Sequence, residues 1–418
     1  MAVPQQTSIF DIASKARIGA LVSVATILMI VSAAQAQTFT VLHNFTIGDD
    51  GGRPLDTLVM DQAGNLYGST EYGGPADDGV IFKLLHHGSS WLLSPLYSFL
   101  PEDGGQPHGP ITIGSDGTLY GTTFAGGPGG GGVVYRLRPP ASAPVSIISS
   151  WSESVLHEFN IDNDSGGAYP AYPALIFDSA GNIYGTTQSG GAGSGTCDAI
   201  AGGGVVFELS PFGGDWNETV LYSFNAGCPY SGVVMDSAGN LYGAVPGGGT
   251  NGVGMAYELS QTQSGWQLTT LHNFAGDDGS VSKAGLIMDQ AGNLYGATSS
   301  GGSGGGGVIY EISPSGGGWS FQVLYNLTGN AGPQENLTMD SAGNLYGTAL
   351  GDGANEAGMV FELSPSNGVW TLTDLHDFSQ DTAYAPYGGV TLDANGNVYG
   401  TTFEGGAYGY GTVWEITP

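Results

Sequence analysis

Apolar and polar residues alternate along short stretches of the chain, and these stretches return as a repeating unit. In the copy that begins at Gly285, Leu286 and Met288 would face one side of a strand while Ile287 faces the other. No stretch beyond residue 36 sustains the 3.6-residue period of a helix. Turn sequences rich in Gly, Asp, Asn and Pro separate the stretches. The pattern therefore predicts an all-β chain.

Each copy contains four extended runs and the motif Asp-x-Ala-Gly-Asn-Leu-Tyr-Gly or a close variant. In the copy from Gly285, the predicted strands cover 286–289, 294–298, 307–313 and 319–327. Units of this length with four strands are typical of a β-propeller, and we name the strands of one blade a to d from the central axis outward. The Tyr-Gly pairs begin at Tyr67, Tyr120, Tyr184, Tyr242, Tyr295, Tyr346 and Tyr399.

The two ends of the repeat array complement each other. The last copy stops at Pro418 after its strand c, whereas residues 38–45 resemble a strand d such as 371–378 but follow no earlier strands. Pairing the two ends would close the ring and remove an exposed sheet edge. We therefore predict a closed, seven-bladed β-propeller of four-stranded blades in which the N-terminal strand completes the last blade. An open seven-unit solenoid is the alternative.

The first 36 residues have the pattern of an export signal. Two basic residues precede an apolar stretch over 18–31, and Ala34-Gln35-Ala36 offers the small residues that signal peptidase accepts. We predict that residues 1–36 are a signal peptide and that residues 37–418 form a single propeller domain, secreted or periplasmic. An uncleaved N-terminal anchor is the alternative. No second apolar span follows, so we expect no membrane span once the signal is removed.

Composition narrows the classes of partner. The chain has 75 Gly and 21 Pro, yet its 40% hydrophobic content is enough to build a core. Without residues 1–36 it keeps 5 basic and 36 acidic residues, a formal charge of −31. Such a surface repels nucleic acid, and self-repulsion favours a soluble monomer.

Cys197 and Cys228 are the only cysteines. An even count in an exported chain favours one disulfide over a catalytic thiol. Cys197 lies in the long b-to-c loop of the third copy (188–204), and Cys228 lies in the following d-to-a loop. In a propeller these two kinds of loop emerge on the same face, so we predict a bond between the two residues.

The chain resembles the GloVer (Gloeo/Verruco) tandem-repeat proteins, an exported bacterial family. The resemblance rests on four pieces that recur in order over residues 38–418: Asp-x-x-Gly-Asn-Leu-Tyr-Gly-Thr-Thr, Gly-Gly, Gly-x-Val-Phe-Glu-Leu and Leu-Tyr-x-Phe. It implies a bacterial, exported, propeller-like protein. It supplies no reaction and no catalytic residues.

Positions that recur in every copy are explained by the building of blades. Four histidines, His43, His157, His272 and His376, occupy a strand d position that is tyrosine in other copies, which indicates packing or a hydrogen bond rather than a metal ligand. Six tryptophans precede that position by six residues and also predict packing. The recurring turn aspartates are predicted to accept turn amides: Asp61, Asp178, Asp236, Asp289, Asp340 and Asp393.

One position varies while its neighbours repeat, namely the sixth residue before the turn aspartate, or before Gly114, which stands in place of that aspartate in the second copy. These seven residues, which we call the axial ring, are Leu55, His108, Tyr172, Tyr230, Lys283, Gln334 and Tyr387, and the next position adds Asp56 and Glu335. We predict that the ring surrounds the channel mouth and binds a small polar ligand such as a sugar, or a cell-surface partner. The three tyrosines would stack on the ligand, and His108, Lys283, Asp56 and Glu335 would contact it through polar atoms. The alternative is that the loops entering strand a have simply drifted.

An enzyme is the alternative function. Asp56 and Glu335 could serve as acid and base for glycoside hydrolysis, or His108 and Lys283 could act on a lactone or a polysaccharide. The chain has no Gly-x-Ser-x-Gly nucleophile elbow, which needs a strand-to-helix turn, and no His-Glu-x-x-His motif, so we favour a binding scaffold without catalysis. We predict no cofactor, except that acidic d-to-a loops could hold calcium: Asp49-Asp50-Gly51, Glu102-Asp103-Gly104, Asp162-Asn163-Asp164 and Asp277-Asp278-Gly279.

Overall fold

The structure is a computed structural model, and it describes residues 37–88, 90–140, 151–161, 164–170, 172, 174–197 and 200–418. Residues 39–417 form one compact unit. The predicted signal peptide, residues 1–36, lies outside the described residues. Its boundary with the propeller domain therefore stays a prediction.

The described residues form short β-strands and one 3₁₀ turn at Asp164–Gly166. The strands are β1 (Thr38–Asn44), β2 (Val59–Met60), β3 (Leu66–Thr70), β4 (Val80–His87), β5 (Ser90–Ser98), β6 (Gly105–Ile113), β7 (Leu119–Ala125), β8 (Gly130–Arg138), β9 (Ser152–Asn160), β10 (Ile176–Phe177), β11 (Ile183–Thr187), β12 (Thr196–Cys197), β13 (Ile200–Ala201), β14 (Val205–Phe212), β15 (Asp215–Ser223), β16 (Val234–Met235), β17 (Leu241–Val245), β18 (Met255–Thr262), β19 (Gly265–Asn273), β20 (Ile287–Met288), β21 (Leu294–Ala297), β22 (Val308–Ser315), β23 (Gly318–Asn326), β24 (Thr338–Met339), β25 (Leu345–Ala349), β26 (Met359–Ser366), β27 (Val369–Asp377), β28 (Ala383–Tyr384), β29 (Thr391–Leu392), β30 (Val398–Thr402), β31 (Glu404–Gly405) and β32 (Thr412–Thr417).

The strands pair into seven four-stranded antiparallel blades. From strand a to strand d, the blades are β2-β3-β4-β5, β6-β7-β8-β9, β10-β11-β14-β15, β16-β17-β18-β19, β20-β21-β22-β23, β24-β25-β26-β27 and β29-β30-β32-β1. Two further pairs, β12-β13 and β28-β31, lie in loops. The predicted all-β, seven-bladed architecture is confirmed, and the strand boundaries predicted for blade five lie within two residues of β20 to β23.

The N-terminal strand closes the ring as predicted. Strand β1 pairs with β32 as the outermost strand of blade seven. The Phe45 amide donates to the Gly411 carbonyl at 3.1 Å, and the Ala407 amide donates to Asn44 Oδ1 at 2.8 Å. Phe45 is fully buried, and its ring lies 5.3 Å from that of Phe82 in blade one. This strand therefore joins the last blade to the first, and the open solenoid is excluded.

Buried apolar clusters lie between neighbouring blades. The cluster of Phe45, Leu58 and Phe82 also contains Tyr399 and Val413, so it spans blades one and seven. The other six clusters span the other six pairs of neighbours. Because each blade buries both faces against a neighbour, the ring as a whole removes the apolar surface that a single blade would expose.

The invariant Gly of each Tyr-Gly pair lies beneath an aromatic ring of strand c. Gly296 on β21 is opposite Tyr310 on β22, and a Cβ atom on Gly296 would lie only 2.5 Å from the Tyr310 hydroxyl oxygen. The same register places Gly68 opposite Phe82, where a Cβ would lie 2.6 Å from the ring. Glycine is thus required here by close packing, because an added methyl group has no space.

The turn aspartates accept the amides of their own hairpins. Asp289 Oδ1 accepts from the amides of Ala291 at 2.9 Å and Asn293 at 2.8 Å, and its Oδ2 accepts from Asn293 Nδ2 at 2.8 Å. Equivalent bonds recur at the other five turns. The structural interpretation of this motif is confirmed.

The recurring histidines also have structural partners. His43 Nε2 lies 3.0 Å from Asp50 Oδ2, and His272 Nε2 lies 2.8 Å from Asp278 Oδ2. The ring of His376 stacks on that of Phe39 with a centroid distance of 3.8 Å. The tryptophans pack across blades, as Trp319 does against Tyr242 at 5.7 Å, so the packing interpretation is confirmed.

Candidate functional site

Residues of the axial ring converge on one cavity. Six of the seven ring positions line it, together with the predicted carboxyl residue Glu335: Leu55, Tyr172, Tyr230, Lys283, Gln334, Glu335 and Tyr387. The cavity measures about 40 Å³. A water molecule needs roughly 10 to 15 Å³ of such space, so the cavity has room for a few waters or for one small polar group. A whole sugar ring does not fit inside it.

Backbone bonds between blades hold the ring residues in place. Val281, two residues before Lys283, has a φ of 59°. Its amide donates to the Val253 carbonyl of blade four at 2.9 Å, and its own carbonyl accepts from the Ser299 amide at 3.1 Å. The same contacts surround Ala385, which precedes the ring residue of blade seven by two positions. Each ring residue thus follows a fixed turn that ties its blade to the one before.

A row of stacked side chains runs into the cavity. His108 stacks between Phe124, at a centroid distance of 5.1 Å, and Tyr172, at 5.0 Å. Tyr172 stacks in turn on Tyr230 at 6.0 Å, and Lys283 Nζ lies 5.2 Å from the centroid of the Tyr230 ring. The row places one ammonium group at its inner end, where the aromatic face attracts a cation.

Tyr172 has a strained backbone. Its φ of 59° lies in the left-handed region, which a bulky residue rarely adopts outside constrained or functional sites. In this conformation the Tyr172 ring stacks between His108 and Tyr230.

Two carboxyl groups lie beside the cavity. Asp56 is 3% exposed and accepts from Ser69 Oγ at 2.5 Å and from the Gly109 amide at 2.8 Å. Glu335 is 6% exposed, and its Oε2 accepts from the Asn336 amide at 3.3 Å. Burial raises the pKa of Asp56 above its usual value. Burial, with the nearby Asp56 charge, holds the pKa of Glu335 well above its usual value.

His108 and Asp56 do not line the cavity, although the sequence predicts both as ligand contacts. His108 is 5% exposed, and its Nε2 lies 3.6 Å from Glu71 Oε1. Both oxygens of Asp56 already accept hydrogen bonds. A general base must reach the proton that it removes, so this geometry does not favour Asp56 as the partner of Glu335 in glycoside hydrolysis. Ligand binding by the remaining ring residues stays a prediction.

A second variable ring supports the first, and the sequence analysis missed it. It consists of the fourth residue after each Tyr-Gly tyrosine: Glu71, Phe124, Gln188, Pro246, Ser299, Leu350 and Phe403. We call it the supporting ring. Gln188 Nε2 donates to the Tyr230 hydroxyl at 2.9 Å, and the Phe403 ring lies 5.4 Å from that of Tyr387. The available signal was variation at one position between invariant neighbours, the same signal that revealed the axial ring.

The inserted loop of blade three lies next to the supporting ring. Cys197 and Cys228 form a disulfide in the structure, with Cα atoms 5.9 Å apart. Ser189 Oγ donates to the Cys197 carbonyl at 2.9 Å, and Ser189 directly follows Gln188. Residues 198 and 199 of the predicted loop lie outside the described residues. The disulfide thus lies close to the side chain that contacts Tyr230.

The acidic d-to-a loops use their carboxylates within the fold. Asp50 and Asp278 bind His43 and His272, and Asp103 accepts from the Tyr97 hydroxyl. Asp162 and Asn163 lie outside the described residues. Across the described ranges, no group of three or more His, Cys, Asp or Glu side chains could hold a metal ion, and calcium binding stays a prediction.

Within the part of the chain that the structure describes, no helix is long and apolar enough to cross a membrane.

Comparison with known proteins identifies the repeat and the fold. The protein-family model of the Gloeobacter/Verrucomicrobia repeat matches residues 26–155, 148–290 and 248–418. No curated protein matches the chain.

Two solved structures illustrate the similarity of fold. One is the extracellular domain of a protein assigned as a one-component system from B. thetaiotaomicron, with a TM-score of 0.53 and 10% identity over 91% of this chain and 40% of that one. This chain therefore spans less than half of that structure. The other is an ulvan lyase from a polysaccharide lyase family, with a TM-score of 0.50 and 15% identity over 88% of this chain and 94% of that one. At these identities the similarity concerns the fold alone.

Proposed function

The chain belongs to the Gloeobacter/Verrucomicrobia repeat family, and we propose that it is an exported binding scaffold whose axial cavity receives a small polar ligand of the carbohydrate class. The family match and the fold show a β-propeller repeat protein, and its role as an exported scaffold that binds a ligand is what we propose. It assigns the ligand to the mouth of the central channel, on the face where the d-to-a and b-to-c loops emerge.

The observation that carries the proposal is the contrast between repeated and unique residues. Side chains that build the blades recur in nearly every copy, whereas the axial ring changes from copy to copy and converges on one cavity. Tyrosine faces with a few polar groups are the usual composition of a small-ligand site. Lys283 is also the only Lys or Arg after residue 138. Its position in this ring supports a local role, because blades three to seven carry no other Lys or Arg.

The size of the cavity limits how a ligand would bind. About 40 Å³ admits a polar end group rather than a monosaccharide. The ligand would therefore insert a terminal group while the rest of it lies across the mouth, where the tyrosine rings offer flat apolar surfaces. This mode suits the end of a saccharide chain.

Export is the second part of the proposal. It is supported by the sequence pattern of residues 1–36 and by a disulfide between Cys197 and Cys228, since disulfides persist in oxidising compartments. Mass spectrometry of the protein recovered from its native compartment would test it. A mature N-terminus at Gln37 is the expected result, and intact residues 1–36 on a cytoplasmic protein would contradict it.

The binding proposal is tested with a glycan array followed by titration calorimetry. We expect saturable binding of at least one saccharide, and a loss of about tenfold or more in affinity for Tyr172→Ala/Tyr230→Ala/Lys283→Ala, since removing two stacking faces and an ammonium group costs at least about 1.4 kcal/mol. The matched control is Trp319→Ala, which removes a large aromatic side chain that packs between blades and should leave affinity unchanged in the folded fraction. Saturable binding that survives the triple substitution would refute the assignment.

A further inference from the structure

Two groups of opposite charge type share the axial cavity without contacting each other. Among the described residues, no carboxylate lies within 4.0 Å of Lys283 Nζ. The ammonium group lies over the Tyr230 ring instead. Glu335 is 94% buried, and its one hydrogen bond with a described residue is made by Oε2. Its Oε1 is left without a protein donor there. Both residues line the cavity, so a ligand there can reach them, and this pair is suited to a group that bridges the cavity.

The charges around the mouth disfavour an acidic ligand. Asp56 lies close enough to Glu335 to raise its pKa, and Glu71 contacts His108 just behind the cavity. Lys283 is the only ammonium group that lines the cavity. A ligand carboxylate would meet one cation among several acidic groups, in a protein whose formal charge is −30. An uncharged ligand avoids this repulsion.

A hydroxyl group can both accept and donate a hydrogen bond, whereas an ammonium group only donates. We infer that the axial cavity recognises a neutral saccharide through a pair of adjacent hydroxyl groups, one accepting from Lys283 Nζ and the other bonded to Glu335 Oε1. This inference rests on the proposed function and specifies the ligand class. Tyr172, Tyr230 and Tyr387 would contact the apolar face of the sugar, which carries its C–H bonds.

Two observations separate this ligand from a zwitterion such as an amino acid. The raised pKa of Glu335 favours its neutral form, which attracts an ammonium group weakly but still bonds a hydroxyl. The cavity of about 40 Å³ accommodates a hydroxyl pair and leaves the remainder of the ligand at the mouth. Both features favour the diol.

The test measures the affinity of the purified protein for three probe sets: neutral oligosaccharides, oligosaccharides ending in uronic acids, and free amino acids. Neutral oligosaccharides should bind most tightly. Lys283→Met and Glu335→Ala should each weaken binding about tenfold or more, whereas Glu335→Gln should keep affinity within about threefold because an amide also bonds a hydroxyl. Lys83→Met is the matched control for the lysine, since Lys83 pairs with Asp61 at 3.5 Å away from the ring, and it should not alter binding.

The outcomes separate the two proposals. If uronic acids or amino acids bind most tightly and the axial substitutions abolish that binding, the proposed function holds and the neutral diol is wrong. If no probe binds, or if binding survives the triple alanine variant, both are wrong. Melting temperatures of all variants identify any that do not fold. If Glu335→Ala is among them, Lys283→Met and the preference of the native protein for neutral probes decide.

Discussion

At the scale of single residues, a few contacts explain why the motif is repeated. Tyr-Gly recurs because the glycine on strand b lies under the aromatic residue of strand c, as Gly296 does under Tyr310. The aspartate that opens the motif recurs because it accepts the amides of its own turn. These constraints are local, so they can be read from the sequence. His272 and Tyr97 occupy the same strand d position, and both reach the aspartate of the next loop, which explains why histidine and tyrosine can replace each other there.

A substitution at this contact should be costly. We predict that Gly296→Ala lowers the free energy of unfolding by about 1 to 3 kcal/mol, the usual cost of overpacking, because its Cβ would lie 2.5 Å from the Tyr310 hydroxyl oxygen. Urea denaturation measures the change. Gly318→Ala, in the same blade, is the control: its nearest neighbour would be 3.9 Å away, and we expect a change within about 0.5 kcal/mol. Equal effects of the two substitutions would show that packing does not fix the glycine.

At the scale of strands and loops, the sequence predicts the number of blades and the pairing of strands better than it predicts the form of the cavity. The alternation, the turn residues and the complementary termini predict seven blades and the position of β1 beside β32, both of which the structure confirms. Counting back from the turn aspartate also selects six residues that line one cavity. The count works because strand a is two residues long in six of the seven blades and the turn after it has a constant length; the longer strand β6 of blade two is the exception.

Other features of the site depend on side-chain orientation and loop packing, which residue spacing does not determine. The same count selects His108, yet stacking between Phe124 and Tyr172 holds it behind the cavity. Hydrogen bonds from Ser69 and Gly109 likewise hold Asp56 outside. The supporting ring follows strand b. It is found by aligning the copies on their Tyr-Gly pairs, whereas the axial ring is found by aligning them on the turn before strand b. The small size of the cavity results from the packing of all these side chains together.

At the scale of the whole molecule, acidic residues far outnumber basic ones. The formal charge is −30, and several carboxyl groups are removed from water. Burial raises the pKa of Glu153 to about 7 and that of Glu218 to about 7. Burial also lowers the pKa of His157 to about 4, although its Nε2 lies 3.5 Å from Glu218 Oε2. Between these values both members of the pair are neutral, so the contact is not an ion pair there.

These shifts predict that the protein is more stable at pH 6.5 than at pH 8. A carboxyl group with a raised pKa in the folded state contributes stability at low pH, and that contribution is lost as the pH rises through about 7. His157, with a lowered pKa, costs stability only below its unfolded value near 6.5. Above pH 6.5 the carboxyl groups therefore decide the sign, and each contributes a change of order 1 kcal/mol.

Thermal denaturation at the two pH values measures this effect. The melting temperature should fall from pH 6.5 to pH 8, and Glu218→Gln should reduce the fall because the amide does not ionise. A melting temperature that is constant or that rises over this interval would contradict the predicted sign.

The most direct test of the central claim, that the residues unique to each repeat form one binding site on the axis, is a crystal structure of the protein with the tightest saccharide from the array. We predict one saccharide per molecule at the channel mouth, with hydroxyl oxygens within hydrogen-bonding distance of Lys283 Nζ and Glu335 Oε1. A saccharide bound in the clefts between blades, with the axial cavity unoccupied, would contradict the account.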